Sequence, residues 1–180
     1  MSKDKDVVIV SAKRTPIGSF QGVFSNLPAN KQEWFFESYI QGSVFEFGPL
    51  EVDENEVLEF ARRYDPQPFH IDPNVAKNGP YKGIIASGWH TCALVMRTLV
   101  ENYFSTISSI GSPGIDELRW LFPVRPGDEL SVRVTVLGTR RSQTRPDRGI
   151  VKTFVEVINQ EELIVMSFRS VNFILCKKPF

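Results

Sequence analysis

The chain has 180 residues, 42% of them apolar, which is enough for one domain with a buried core and too little for two ordinary ones. Lysine plus arginine equals aspartate plus glutamate at 21 each, so no net field recruits nucleic acid or an anionic membrane, and those partners are disfavoured. Cys92 and Cys176 form no CxxC pair, no apolar run approaches the roughly 18 to 20 residues of a membrane span, and the charged stretch from Met1 to Asp6 is unlike a signal peptide, so a cytoplasmic protein with free thiols is expected.

In chain order, Val7-Val8-Ile9-Val10 is a β-branched run that predicts a short buried strand, followed by a turn-rich stretch from Lys13 to Gly18. From Ser43 to Gly48 apolar and polar residues alternate, predicting a strand that ends near Pro49. Asp53 and Glu56 have capping-box spacing, and Val57, Leu58, Phe60 and Ala61 recur on one face, predicting a helix over about 53 to 64. Pro66 and Pro68 then make residues 64 to 73 a stiff, extended loop. Asp72-Pro73 is an N-cap with proline at the first helical position, opening a short helix through Lys77. Ser87 is the next N-cap. The run from Gly88 to Phe104 predicts the longest helix, with Trp89, Cys92, Ala93, Met96, Leu99, Val100 and Tyr103 at helical spacing. Beyond a break at Gly111-Ser112-Pro113-Gly114, strands are expected over 118 to 122, 130 to 136, 151 to 157 and 163 to 175. These elements make an α+β domain whose antiparallel sheet wraps a long central helix.

The stiff loop holds the chemistry. Asp65 and His70 bracket it, and a carboxylate five residues from an imidazole across a rigid backbone can share one space, an arrangement suited to proton transfer. Taken alone, the same two residues also fit a turn cap and a buried, hydrogen-bonded core histidine. The wider pattern Asp65-x-Gln67-Pro68-x-His70-x-Asp72-Pro73, preceded by Phe60-Ala61-Arg62-Arg63-Tyr64, resembles the hydratase motif of the MaoC-like dehydratases, the R-specific enoyl-CoA hydratases with a hot-dog fold. The resemblance continues through Gly83 to His90, Gly114 to Trp120 and Pro123 to Asp128, and covers residues 32–180. Gln67 stands where the family usually has asparagine. Residues 7–30, with Val10-Ser11-Ala12-Lys13-Arg14-Thr15-Pro16-Ile17-Gly18, resemble the opening of a thiolase. No thiolase nucleophile or later His and Cys set can be matched, so residues 1–31 are expected to be a fused segment or an added arm and not a domain.

The resemblance implies an (R)-specific hydratase acting on enoyl-CoA and 3-hydroxyacyl-CoA thioesters, with Asp65 and His70 catalytic and the backbone N–H of Gly88 as oxyanion hole. It implies no cofactor beyond the coenzyme A of the substrate, and a homodimer or dimer of dimers. A silent acyl-thioester binding domain and a hot-dog thioesterase are the competing functions. The family also uses a serine about two turns after the glycine to hold the catalytic aspartate; here that position is Met96, leaving Ser87, Thr91 or no residue for the task. His70, Asp72 and His90 superficially spell a His-x-Asp…His metal triad, but Asp72 is better used as an N-cap. Arg140-Arg141 and Arg145-x-x-Arg148 form a basic loop that could hold coenzyme A phosphates or simply be solvated, and Trp89, Trp120 and Phe122 could line an acyl tunnel or pack in the core.

Overall fold

The structure, a computed structural model, describes residues 34 to 178. The strand expected at Val7 to Val10 and the thiolase-like stretch lie outside the described residues. After a 3-10 turn at Phe36–Ser38 come β1 (Val44–Glu51), α1 (Glu54–Tyr64), α2 (Pro68–Ile71), α3 (Pro73–Asn78), α4 (Gly88–Asn102), β2 (Ser109–Trp120), β3 (Glu129–Arg141), β4 (Arg148–Ile158) and β5 (Ile164–Leu175). The strands form one antiparallel sheet in the order β1-β3-β4-β5-β2. Period-two patterning sets its faces: Leu130, Val132, Val134 and Val136 of β3, and Val151, Val155 and Val157 of β4, point inward and are buried. Against them pack Leu94, Val95 and Leu99 of α4, so the core lies between helix and sheet. Trp34, Tyr39, Phe45 and Tyr103 close one end with edge-on ring contacts, and the Tyr39 hydroxyl donates to the Tyr103 carbonyl at 3.1 Å. Among the described residues no helix is long and apolar enough to cross a membrane.

Four local expectations are corrected. The loop from 64 to 73 is not extended throughout, because Pro68 sits at the first position of α2, where its fixed φ starts a helical turn and its missing N–H costs nothing. β1 continues past Pro49 to Glu51 through a register shift between Phe47 and Leu50; it is an edge strand, where proline in a bulge is tolerated. The Gly111 to Gly114 stretch does not break the chain. It lies within β2, and the register with β5 shifts on either side of Gly111, so its glycines and proline mark bulges on the other edge. Finally, α4 buries His90, Thr91, Leu94, Val95, Thr98 and Leu99, while Trp89, Met96 and Val100 are 59%, 51% and 44% exposed. The helix is apolar on two sides and the sheet covers only one of them.

Candidate active site

Helix α1 ends at Tyr64, and Asp65 is its C-cap, donating its backbone N–H to the Ala61 carbonyl at 2.9 Å. The single turn of α2 then brings His70 back over Asp65. His70 is 4% exposed, and its Nδ1 lies 2.7 Å from the carbonyl oxygen of Ile85. A carbonyl only accepts, so Nδ1 carries the proton and, in the neutral ring, Nε2 carries the lone pair. That Nε2 faces Asp65 Oδ2 at 3.4 Å. Two acceptors so placed repel unless a proton or the two O–H groups of a water molecule lie between them.

Asp65 is held from both sides. Ser87 Oγ donates to its Oδ2 at 2.7 Å, and Gln67 Nε2 donates to its Oδ1 at 2.7 Å. Partial burial raises the Asp65 pKa; the bonds from Ser87 and Gln67, with His70 adjacent, outweigh it and hold the carboxyl below the usual carboxylate range. Ser87 is also the N-cap of α4, accepting from the Trp89 N–H at 3.3 Å, so one buried hydroxyl ties the helix start to the carboxylate. Of the residues left open for supporting Asp65, the structure thus selects Ser87. Thr91 bonds back to the Ser87 carbonyl at 3.4 Å, and Met96 is exposed. Gln67 and the Ile85 carbonyl were not legible as site groups; the amide's two-residue spacing from Asp65 was the available signal for the first.

Gly88 opens α4, and among the described residues its N–H makes no hydrogen bond, as expected for the first turn of a helix. Its carbonyl accepts from Trp120 Nε1 at 3.0 Å. A Cβ at this position would overlap the indole of Trp120, so the glycine is required by close packing of β2 on the helix start. Asp65, His70, Gly88, Trp89, Trp120 and Phe122 all line one cavity of about 480 Å³. The two indoles meet edge to face at 5.4 Å. His90 points elsewhere, its ring 5.0 Å from that of Phe60, and Asp72 Oδ1 accepts from the N–H groups of Asn74 and Val75 as the cap of α3. His70, Asp72 and His90 are therefore not brought together.

Residues 36–158 match the MaoC like domain family. This chain belongs to the MaoC-like dehydratase family. It is 32% identical over 129 residues to the uncharacterized protein YdeM of Bacillus subtilis (strain 168), covering 72% of this chain and 90% of that one. Among solved structures, the MaoC-like dehydratase from Rhodospirillum rubrum is 36% identical with a TM-score of 0.75, covering 81% of this chain and 99% of that chain. The R-hydratase PhaJ1 from Pseudomonas aeruginosa, unliganded, is 23% identical with a TM-score of 0.65, over 80% of this chain and 86% of that chain, a likeness of fold. The sheet around a long helix in this MaoC-like protein is the hot-dog fold.

Proposed function

We propose that this MaoC-like protein is an (R)-specific hydratase acting reversibly on trans-2-enoyl-CoA thioesters to give (R)-3-hydroxyacyl-CoA. The observation that carries the reading is the Asp65/His70 pair: with Nδ1 committed to Ile85, the two facing acceptors at 3.4 Å are a receptor for one water molecule donating to both. In the hydration direction the water oxygen bonds to C3 as its proton passes to Asp65. The C2=C3 π electrons shift to the thioester oxygen, and the unpartnered N–H of Gly88, at the positive end of α4, stabilises that charge. His70 orients the water through Nε2 and helps return to C2 the proton that Asp65 took up. As the electrons on the thioester oxygen re-form the carbonyl, the former enolate pair makes the C2–H bond; one water is added and Asp65 ends as it began. Both groups act from one side of the alkene, which gives syn addition. Trp89, Trp120 and Phe122 supply apolar walls for the acyl chain. No cofactor enters beyond the coenzyme A that the substrate carries.

The same reading includes a homodimer or dimer of dimers joined along β2. That strand is a sheet edge exposed over nearly all its length and carries the exposed Ile110, Ile115 and Trp120, while the exposed Trp89 of α4 meets Trp120 and the exposed Met96 and Val100 share a cavity with Ser109, Gly111 and Ser112 of the same strand. Loss of enoyl absorbance on adding the protein to crotonyl-CoA and longer enoyl-CoAs tests the activity. Binding of these thioesters without turnover would move the protein to the silent binding class.

A further inference from the structure

The hairpin between β3 and β4 gathers Arg140, Arg141, Arg145 and Arg148 against a single acid, Asp147, in a chain whose basic and acidic residues are equal in number overall. Two of these arginines are occupied. Arg141 donates to the carbonyls of Pro146 at 2.9 Å and Lys178 at 2.7 Å, and Arg148 grips Asp147 through two bonds of 3.0 and 2.7 Å. Among the described residues, the side chains of Arg140 and Arg145 make no hydrogen bond or close ion pair; Arg145 acts on Asp147 only through its charge, and that acid is already held by Arg148. Both line a cavity of about 400 Å³ together with Arg148, the hydroxyl residues Ser142 and Thr144, and Ile150 and Phe173. Arg140 lies opposite Ile150, and Ile150 opposite Phe173, so these three share the outer face of the sheet, away from the buried Val151 and Ile174.

Three arginines lining one cavity with one nearby acid leave an excess of positive charge there, and a bound anion offsets it. Guanidinium forks match phosphate oxygens in pairs, and the hydroxyls add donors. The half-buried Phe173 ring and Ile150 offer an apolar surface on which a flat base can lie. Inorganic phosphate alone would leave that surface unused. We propose that this cavity binds a nucleotide, its phosphates on Arg140 and Arg145 and its base against Phe173 and Ile150. The site is separate from the Asp65/His70 cavity of the same protomer: Phe173 lies along β5 from Met166, the partner of Trp120, by roughly 23 Å at the strand rise, and faces the opposite side of the sheet from α4. It therefore stands whether or not the hydratase reading does.

Isothermal titration of the full-length protein with ADP, with pyrophosphate and with adenosine tests this. The expected result is saturable ADP binding, weaker binding of pyrophosphate, none of adenosine, and a loss of ADP affinity of at least about tenfold in Arg145→Gln and in Arg140→Gln. These side chains are exposed, so both variants should unfold at the wild-type temperature, and Phe173→Leu should weaken ADP but not pyrophosphate. Absent ADP saturation, an ADP affinity unchanged in the Arg140→Gln/Arg145→Gln double variant, or equal affinities for ADP and pyrophosphate would overturn the proposal. Coenzyme A titrated alongside identifies the source: an Arg145-dependent affinity above that of ADP assigns the site to the coenzyme's nucleotide end, and one at or below it to a free nucleotide.

Discussion

Ser87 does two jobs with one oxygen, accepting from the first turn of α4 and donating to Asp65, and this joins the position of the Asp65 carboxylate to helix capping. Removing a donor from a carboxylate destabilises its ionised form and raises its pKa. In Ser87→Ala the acid limb of the kcat/KM profile should therefore move to higher pH, while kcat falls about tenfold because the carboxylate is no longer aimed. Loss of the cap should cost about 1 kcal/mol in urea unfolding. An unmoved acid limb would show that Ser87 only caps the helix. The same bonds link Asp65 to stability: its lowered pKa contributes stability that is present above the unfolded-state value and is lost as pH falls through the folded value.

At the scale of elements, α4 is where patterning succeeded and failed together. Its limits followed from Ser87 and the apolar run, but its buried face did not, because Trp89, Met96 and Val100 are as apolar as the residues that pack on the sheet. Periodicity cannot rank two apolar faces when one of them serves something other than the core. The strand positions were similarly legible, whereas their ends were not: Gly111 to Gly114 read as a break because a bulged edge strand uses the residues of a turn. Asp65, His70 and Gly88 follow from the resemblance and do line one cavity; Gln67 stands in the motif two residues from Asp65 without its bond to that carboxylate being marked, and the Ile85 carbonyl depends on how the chain folds back, which spacing does not encode. The sequence offers His90 only as a metal ligand, yet it packs between α1 and α4 with its Nδ1 buried and, among the described residues, without a hydrogen-bond partner. Burial lowers its pKa, with Glu56 opposing and Arg97 reinforcing the shift. The unfolded chain then takes up the proton first as pH falls below about 6.5, so stability should decline from there down to the folded-state pKa and level off beneath it. His90→Phe removes the titrating ring and keeps the contact with Phe60. Urea unfolding between pH 7 and 5 should show a smaller decline in this variant than in wild type, and an identical decline would assign the effect to other groups.

For the whole molecule, the exposed β2 edge and the apolar face beside it predict that sedimentation will give a dimer or a multiple of it. Ile115→Lys, which places a charge on that edge, should shift the distribution toward the 20.5 kDa chain; a stable, fully active monomer in the wild type would count against the assembly. Every residue assigned to the site falls between 65 and 122, inside the family match at 36–158, so a chain lacking residues 1–30 should unfold cooperatively and keep its activity. A tenfold fall in activity would instead make that segment part of the working domain. Asp65 and His70 are proposed to act as one unit on one water molecule, and crotonyl-CoA hydration by the wild type, Asp65→Asn, His70→Ala and the double variant tests this most directly. Each single substitution should lower kcat by on the order of a hundredfold or more with KM little changed, and the double variant should be little worse than the worse single. Full activity in Asp65→Asn, or losses that simply multiply in the double variant, would contradict it.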